Sequence, residues 1–119
     1  MSGCLNRVTL IGHLGGDPEQ RTTQAGAPVV TFSLATSQNW KDPESGEKRE
    51  RTEWHRVVVF NPGLLKIAAQ FLKKGSKALI EGELRTRKWT DSQGNEQSTP
   101  EVLLPAYGGQ ILLLDRPVS

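Results

Sequence analysis

At 119 residues, with 35% hydrophobic and 24% charged side chains, the chain has the size and composition of one ordinary soluble globular domain. A formal charge of +2 and a pI near 8.9 make it mildly basic, well short of a histone-like polycation. No stretch approaches the roughly 18 apolar residues of a membrane span, the opening from Met1 to Arg7 has no apolar signal core, and the single cysteine, Cys4, excludes an internal disulfide, so the reading is of an intracellular protein with no membrane partner.

Arg7 to Leu14 is β-rich and is closed by the turn chemistry of Gly15-Gly16-Asp17-Pro18. Glu19 to Gln24 reads as a short polar strand before a break at Ala25 to Pro28. Val29 to Thr36 alternates, with Val30, Phe32 and Leu34 on one face, and is a half-buried strand by its period of two. Lys41 to Glu50 holds seven charged residues together with Pro43 and Gly46, which predicts an exposed loop. Arg51 to Phe60 is a further strand, with Trp54, Arg56, Val58 and Phe60 on one side and His55, Val57 and Val59 on the other. Asn61-Pro62-Gly63 breaks it. Leu64, Ile67, Ala68, Phe71 and Leu72 then recur at helical spacing, with Gly75 as the stop after Lys73 and Lys74. Lys77 to Thr90, a turn at Asp91 to Asn95 and Glu96 to Leu104 predict a hairpin, and Pro105 interrupts before the apolar run Gln110 to Leu114. Three strands, one helix and a hairpin are the element order of an all-β, five-stranded OB-fold, a Greek-key barrel with one α-helix between its third and fourth strands. The domain is expected over residues 1–115, with 116–119 as a short C-terminal remnant.

Function is expected from the tryptophans. Each adjoins positive charge: Trp40 precedes Lys41, Trp54 precedes His55 and Arg56, and Trp89 follows Lys88. Unpaired nucleotides expose a flat base and a charged backbone together, so their binder needs aromatic platforms interleaved with cations, each stacked base contributing about 1 to 3 kcal/mol. Alternation places Arg85, Arg87 and Trp89 on one strand face and Trp54, Arg56 and Phe60 on another, and two adjacent strands would merge them into one surface. Taken singly, a tryptophan is more often a packing residue and a strand lysine more often solvated surface. The joint placement of three tryptophans against basic residues favours binding over packing.

The runs Ile11-Gly12-His13-Leu14-Gly15 with Asp17-Pro18-Glu19, Thr52-Glu53-Trp54-His55-Arg56-Val57, Lys74-Gly75, and Ile80-Glu81-Gly82 through Leu84-Arg85-Thr86-Arg87-Lys88-Trp89-Thr90-Asp91 closely resemble the bacterial and mitochondrial single-stranded-DNA-binding proteins. The resemblance extends from Asn6 to about Leu114. It implies that Trp40, Trp54, Phe60 and Trp89 stack bases and that Arg56, Lys74, Arg85, Arg87 and Lys88 meet the DNA backbone. It also places His55 on a subunit contact of a homotetramer around which single-stranded DNA wraps, serving replication, recombination and repair in the bacterial cytoplasm rather than the mitochondrial matrix. Members of that family usually continue into a Gly-, Pro- and Gln-rich tail whose acidic tip recruits replication and repair enzymes. This sequence ends at Arg116-Pro117-Val118-Ser119, so such recruitment is not expected of it.

Neither Cys4 nor His13 and His55 forms a zinc-type cluster, and no metal or cofactor is expected. A magnesium-dependent nuclease would need Asp17, Glu81 and Glu83 together, whereas alternation on a solvated strand explains the latter two equally well. An adaptor for proteins or RNA, with the tryptophans as anchors, is the other rival. Five cations on phosphates would give a slope of log affinity against log salt near about −3.5.

Overall fold

The computed structural model describes residues 3–114; the sequence-based remnant at 116–119 lies outside the described residues. In chain order the elements are β1 (Val8–Leu14), β2 (Glu19–Thr22), β3 (Pro28–Lys41), β4 (Lys48–Val59), α1 (Pro62–Phe71), β5 (Lys77–Thr90), β6 (Glu96–Leu104) and β7 (Gln110–Leu113). Seven strands form where five were expected. Among the described residues β2 pairs only with β3, and β7 only with β5. The other five pair in a closed circuit, β1 to β3, β3 to β4, β4 to β6, β6 to β5, and β5 back to β1.

Period-two alternation decides what fills the interior of this circuit. Phe32 and Leu34 from β3, Val57 and Val59 from β4, Ala78 and Ile80 from β5, and Val102 and Leu104 from β6 are all buried. The helix closes one end with Ala68 and Leu72. It starts earlier than its apolar spacing suggests, because Asn61 accepts from the backbone N–H of Gly63 at 3.0 Å and Pro62 occupies the first turn, where its missing N–H costs nothing. Its regular turns end at Phe71, ahead of the predicted stop. Gly75, at φ +88°, instead shapes the Lys73–Ser76 turn that leads into β5.

The expected loop Lys41 to Glu50 is a correction. β3 runs on to Lys41 and β4 begins at Lys48, paired in register Lys41↔Lys48 and Trp40↔Arg49, so only residues 42–47 turn. A ribbon that projects beyond the core is exposed on both faces, and its strands carry no apolar alternation for the sequence to show. The β5–β6 hairpin forms with the predicted limits. Asp91 accepts from the backbone N–H of Gln93 and Asn95, both at 2.9 Å, and Gly94 supplies the positive φ that the turn requires. β6 stops at Leu104 and Pro105 follows, as expected of a residue without a ladder donor. Among the described residues no helix is long and apolar enough to cross a membrane.

Candidate nucleic-acid interface

All three tryptophans lie open on strands. Trp54 is 62% exposed, Trp40 47% and Trp89 40%, while the core is filled by aliphatic residues and Phe32. Burying an indole contributes more than burying an aliphatic side chain, so three partly open rings in so small a domain are candidates for a binding surface.

Two shallow depressions carry five of the nine expected residues, Trp54, Arg56, Phe60, Arg85 and Arg87, while Lys88 and Trp89 line a separate one. One is walled by Trp54 and Arg56 of β4, Ser33 of β3, and the Gly15-Gly16-Asp17 turn. The next is lined by Phe60, Arg85, Arg87 and Glu101, and both include Arg21, Thr31 and Arg56, so they run together across the sheet. Gly15 is where Trp54 is seated: a Cβ there would lie 2.9 Å from the Cη2 of the indole, too close to coexist with the ring in place. The turn that ends β1 thus serves as the floor under an exposed ring.

β4 and β5 are not neighbours, contrary to the expectation that adjacent strands would merge their faces. β6 lies between them, paired parallel to β4 (Val57↔Val102) and antiparallel to β5 (Arg85↔Glu101). It contributes a carboxylate to a face expected to be basic. Glu101 is buried and accepts from Arg87 Nε at 3.0 Å. The same oxygen forms an ion pair with Arg56 Nε, an atom that has no partner in hydrogen-bond geometry. Arg85 is held by Glu83 at 2.7 Å. Of five expected phosphate cations, three are therefore partly neutralised within the protein, whereas Lys74 and Lys88 are exposed and, among the described residues, have no side-chain ion pair.

Alternation also revises which cation serves which ring. The guanidinium of Arg87 stands 5.8 Å from the centroid of Trp89, two residues on along the same face, so Arg87 rather than adjacent Lys88 meets the ring. The indole N–H of Trp89 donates to Thr99 Oγ1 at 3.0 Å, which fixes its plane. Trp40 lies outside both depressions, towards the end of the β3–β4 ribbon beside Lys41, Lys48 and Arg49. Lys74 sits at the other margin, its backbone N–H donating to Asp17 Oδ1 at 2.8 Å. His55 is half-buried, with Nε2 2.9 Å from Thr36 Oγ1.

Sequence reasoning missed two participants. Arg21, on the polar strand β2, enters both depressions and pairs with Glu19 at 2.6 Å, an interaction that holds the Glu19 carboxyl below its ordinary value. A lone arginine on a short polar strand carries no signal. Glu101 was equally silent, because what buries it is the pairing of β6 between β4 and β5. The Asp17, Glu81 and Glu83 carboxylates of the nuclease reading are not brought together. Glu81 faces Arg7 at 3.7 Å and Glu83 faces Arg85, and among the described residues no group of three or more His, Cys, Asp or Glu could hold a metal ion.

Known proteins resemble this chain in sequence and in fold. Residues 5–107 match the profile described as the single-strand binding protein family. A protein of Rhizobium meliloti (strain 1021) named single-stranded DNA-binding protein is 51% identical over 115 residues, covering 97% of this chain and 66% of that protein. One of the same name from Rickettsia prowazekii (strain Madrid E) is 52% identical over 119 residues, covering all of this chain and 78% of its own length. Among solved structures, a Plasmodium falciparum SSB in complex with ssDNA superimposes with a TM-score of 0.84 at 35% identity, covering 97% of this chain and 99% of that one.

Proposed function

This chain belongs to the single-strand binding protein family, and from that premise we propose that it binds and covers single-stranded DNA without reading base sequence, by stacking bases on its exposed indoles while cations meet the phosphates. The observation that carries the reading is the exposure of Trp40, Trp54 and Trp89 on cation-lined strand faces. The five-strand circuit reads as a barrel of OB type, a frame that leaves one sheet face open to an oligonucleotide. The action is binding without catalysis, in the replication, recombination and repair of DNA, and the named bacterial relatives favour a cytoplasmic setting.

Three stacked bases at about 2 kcal/mol each give some 6 kcal/mol, whereas micromolar affinity needs about 8, so one subunit alone is weak. Several linked sites raise avidity by about 10² to 10⁴, which favours a homotetramer. Support for self-association comes from β1, β5 and β7. Ile11, Leu79 and Leu112 form an apolar row across β1, β5 and β7, with Ile11 and Leu112 exposed, and along β1 only His13 and Leu14 pair with β3, so much of that edge is unpaired. His55 is assigned to a second contact between subunits.

Titration with oligo(dT), following tryptophan emission at a series of salt concentrations, tests the reading. Counting five cations less the two carboxylates that hold three of them leaves a net of three, so the slope of log affinity against log salt is expected between about −2 and −3.5. Absence of quenching at any salt, or quenching by oligo(rU) alone, contradicts it.

A further inference from the structure

Among the described residues Glu101 is the one buried carboxylate, 7% exposed, and it sits in the middle of the basic face rather than at its rim. Its Oε2 accepts a hydrogen bond from Arg87 Nε of β5 and forms an ion pair, outside hydrogen-bond geometry, with Arg56 Nε of β4, so charge links three strands through one atom. Two guanidiniums brought this close repel each other, and one buried negative charge between them offsets that repulsion, while side chains 38% and 46% exposed leave part of it screened by solvent. Arg87, held on that side, covers one face of the Trp89 indole, and Thr99 holds the ring's N–H. The run Glu101, Arg87, Trp89, Thr99 thus restrains the ring, which is 40% exposed.

We propose that Glu101 is a positioning residue of the DNA interface: its carboxylate locks Arg56 and Arg87 in place, sets Arg87 over Trp89, and withholds about one unit of positive charge from the phosphates. The inference rests on the single-strand-binding reading and deepens it. A carboxylate placed here trades electrostatic affinity for a fixed geometry. Binding is then less dependent on salt than the number of arginines implies, and it relies more on stacking.

Glu101→Gln keeps the shape of the side chain and an acceptor for Arg87 while removing the charge. Oligo(dT) titrations of the full chain and this variant, read by tryptophan quenching over a range of salt, are expected to show a slope steeper by about 0.7, the increment for one more cation released to a single strand. Affinity rises at low salt, and the gain shrinks about fivefold for each tenfold rise in salt. A slope and affinity equal to the parent's overturn the proposal, and so does lost affinity at an unchanged slope, which is what structural damage alone produces. Should the variant fail to fold, Arg87→Lys decides: the cation stays, but the planar group and Nε are gone. The slope then stays as in the parent, affinity falls several-fold, and Trp89 emission shifts in the unbound protein. Emission and affinity identical to the parent's overturn the proposal. A parent chain that shows no quenching removes the functional reading and this inference with it, whereas a parent that binds beside a Glu101→Gln chain of equal slope and affinity removes this inference alone.

Discussion

Gly15→Ala separates binding from folding at a single methyl group. A Cβ on Gly15 would stand 2.9 Å from Trp54 Cη2, 3.4 Å from Cε3 and closer still to Cζ3, so ring and methyl cannot occupy their present positions together. The ring is 62% exposed and meets solvent on its outer side, so it swings outward and the backbone is not forced to move. Stability is expected to change by less than about 1 kcal/mol, the more so because alanine reduces the freedom of the unfolded chain. Binding is affected differently. Loss of one stacked base costs about 1 to 3 kcal/mol, and since the indole is displaced rather than removed, the low end applies, about a 5- to 10-fold weaker Kd for oligo(dT). Gly12 and Gly82 are the controls. A Cβ on Gly82 would lie 2.5 Å from the carbonyl oxygen of Leu103, and one on Gly12 would collide with the carbonyl oxygen of Ala35, both in paired strands that cannot yield. Alanine at either should cost about 1 to 3 kcal/mol of stability or more. Thermal melts and fluorescence titrations of the three variants read the contrast. Parental affinity and emission in Gly15→Ala, or a melt lowered as far as in Gly12→Ala, refute the reasoning.

In the core, Ile80→Ala removes a fully buried side chain and should destabilise by about 2 to 5 kcal/mol in a denaturant titration, while the folded fraction binds DNA like the parent. The backbone N–H groups that Asp91 accepts hold its carboxyl below the ordinary value of 3.8, so its contribution is complete above that value and disappears as the pH falls through the lowered one. Parent melts recorded down through the acid range should therefore decline more steeply than those of Asp91→Asn; parallel curves contradict this. Asp42, similarly lowered by the backbone N–H of Glu44, should behave alike at the ribbon turn. Ile11→Glu places a charge in the exposed apolar row, and sedimentation should show a smaller assembly than the parent forms, an unchanged mass counting against that row as the self-association face.

Where one face of a strand is buried, the sequence announces it. The alternation of Val30, Phe32 and Leu34 located the core side of β3, and the β5–β6 hairpin was legible to its ends because Asp91 and Gly94 carry the chemistry of its turn. Where neither face is buried the signal vanishes, which is why Lys48, Arg49 and Glu50 suggested a loop although they are strand. Strand order is a long-range property. The parallel pairing of Val57–Val59 with Val102–Leu104 has no local mark, so neither the insertion of β6 between the two basic strands nor the arrival of Glu101 among the arginines was readable. For the interface, exposed tryptophans beside basic residues showed in the residue pattern itself. Which cation meets which ring depends on alternation and on partners across strands, as Arg87 over Trp89 illustrates.

The central claim is that the open indoles are seats for bases. The direct measurement is oligo(dT) affinity of folded Trp54→Ala and Trp89→Ala chains beside the parent at one fixed salt concentration. Each should bind more weakly by about 1 to 3 kcal/mol, roughly 5- to 150-fold. Parental affinity in both would contradict the account.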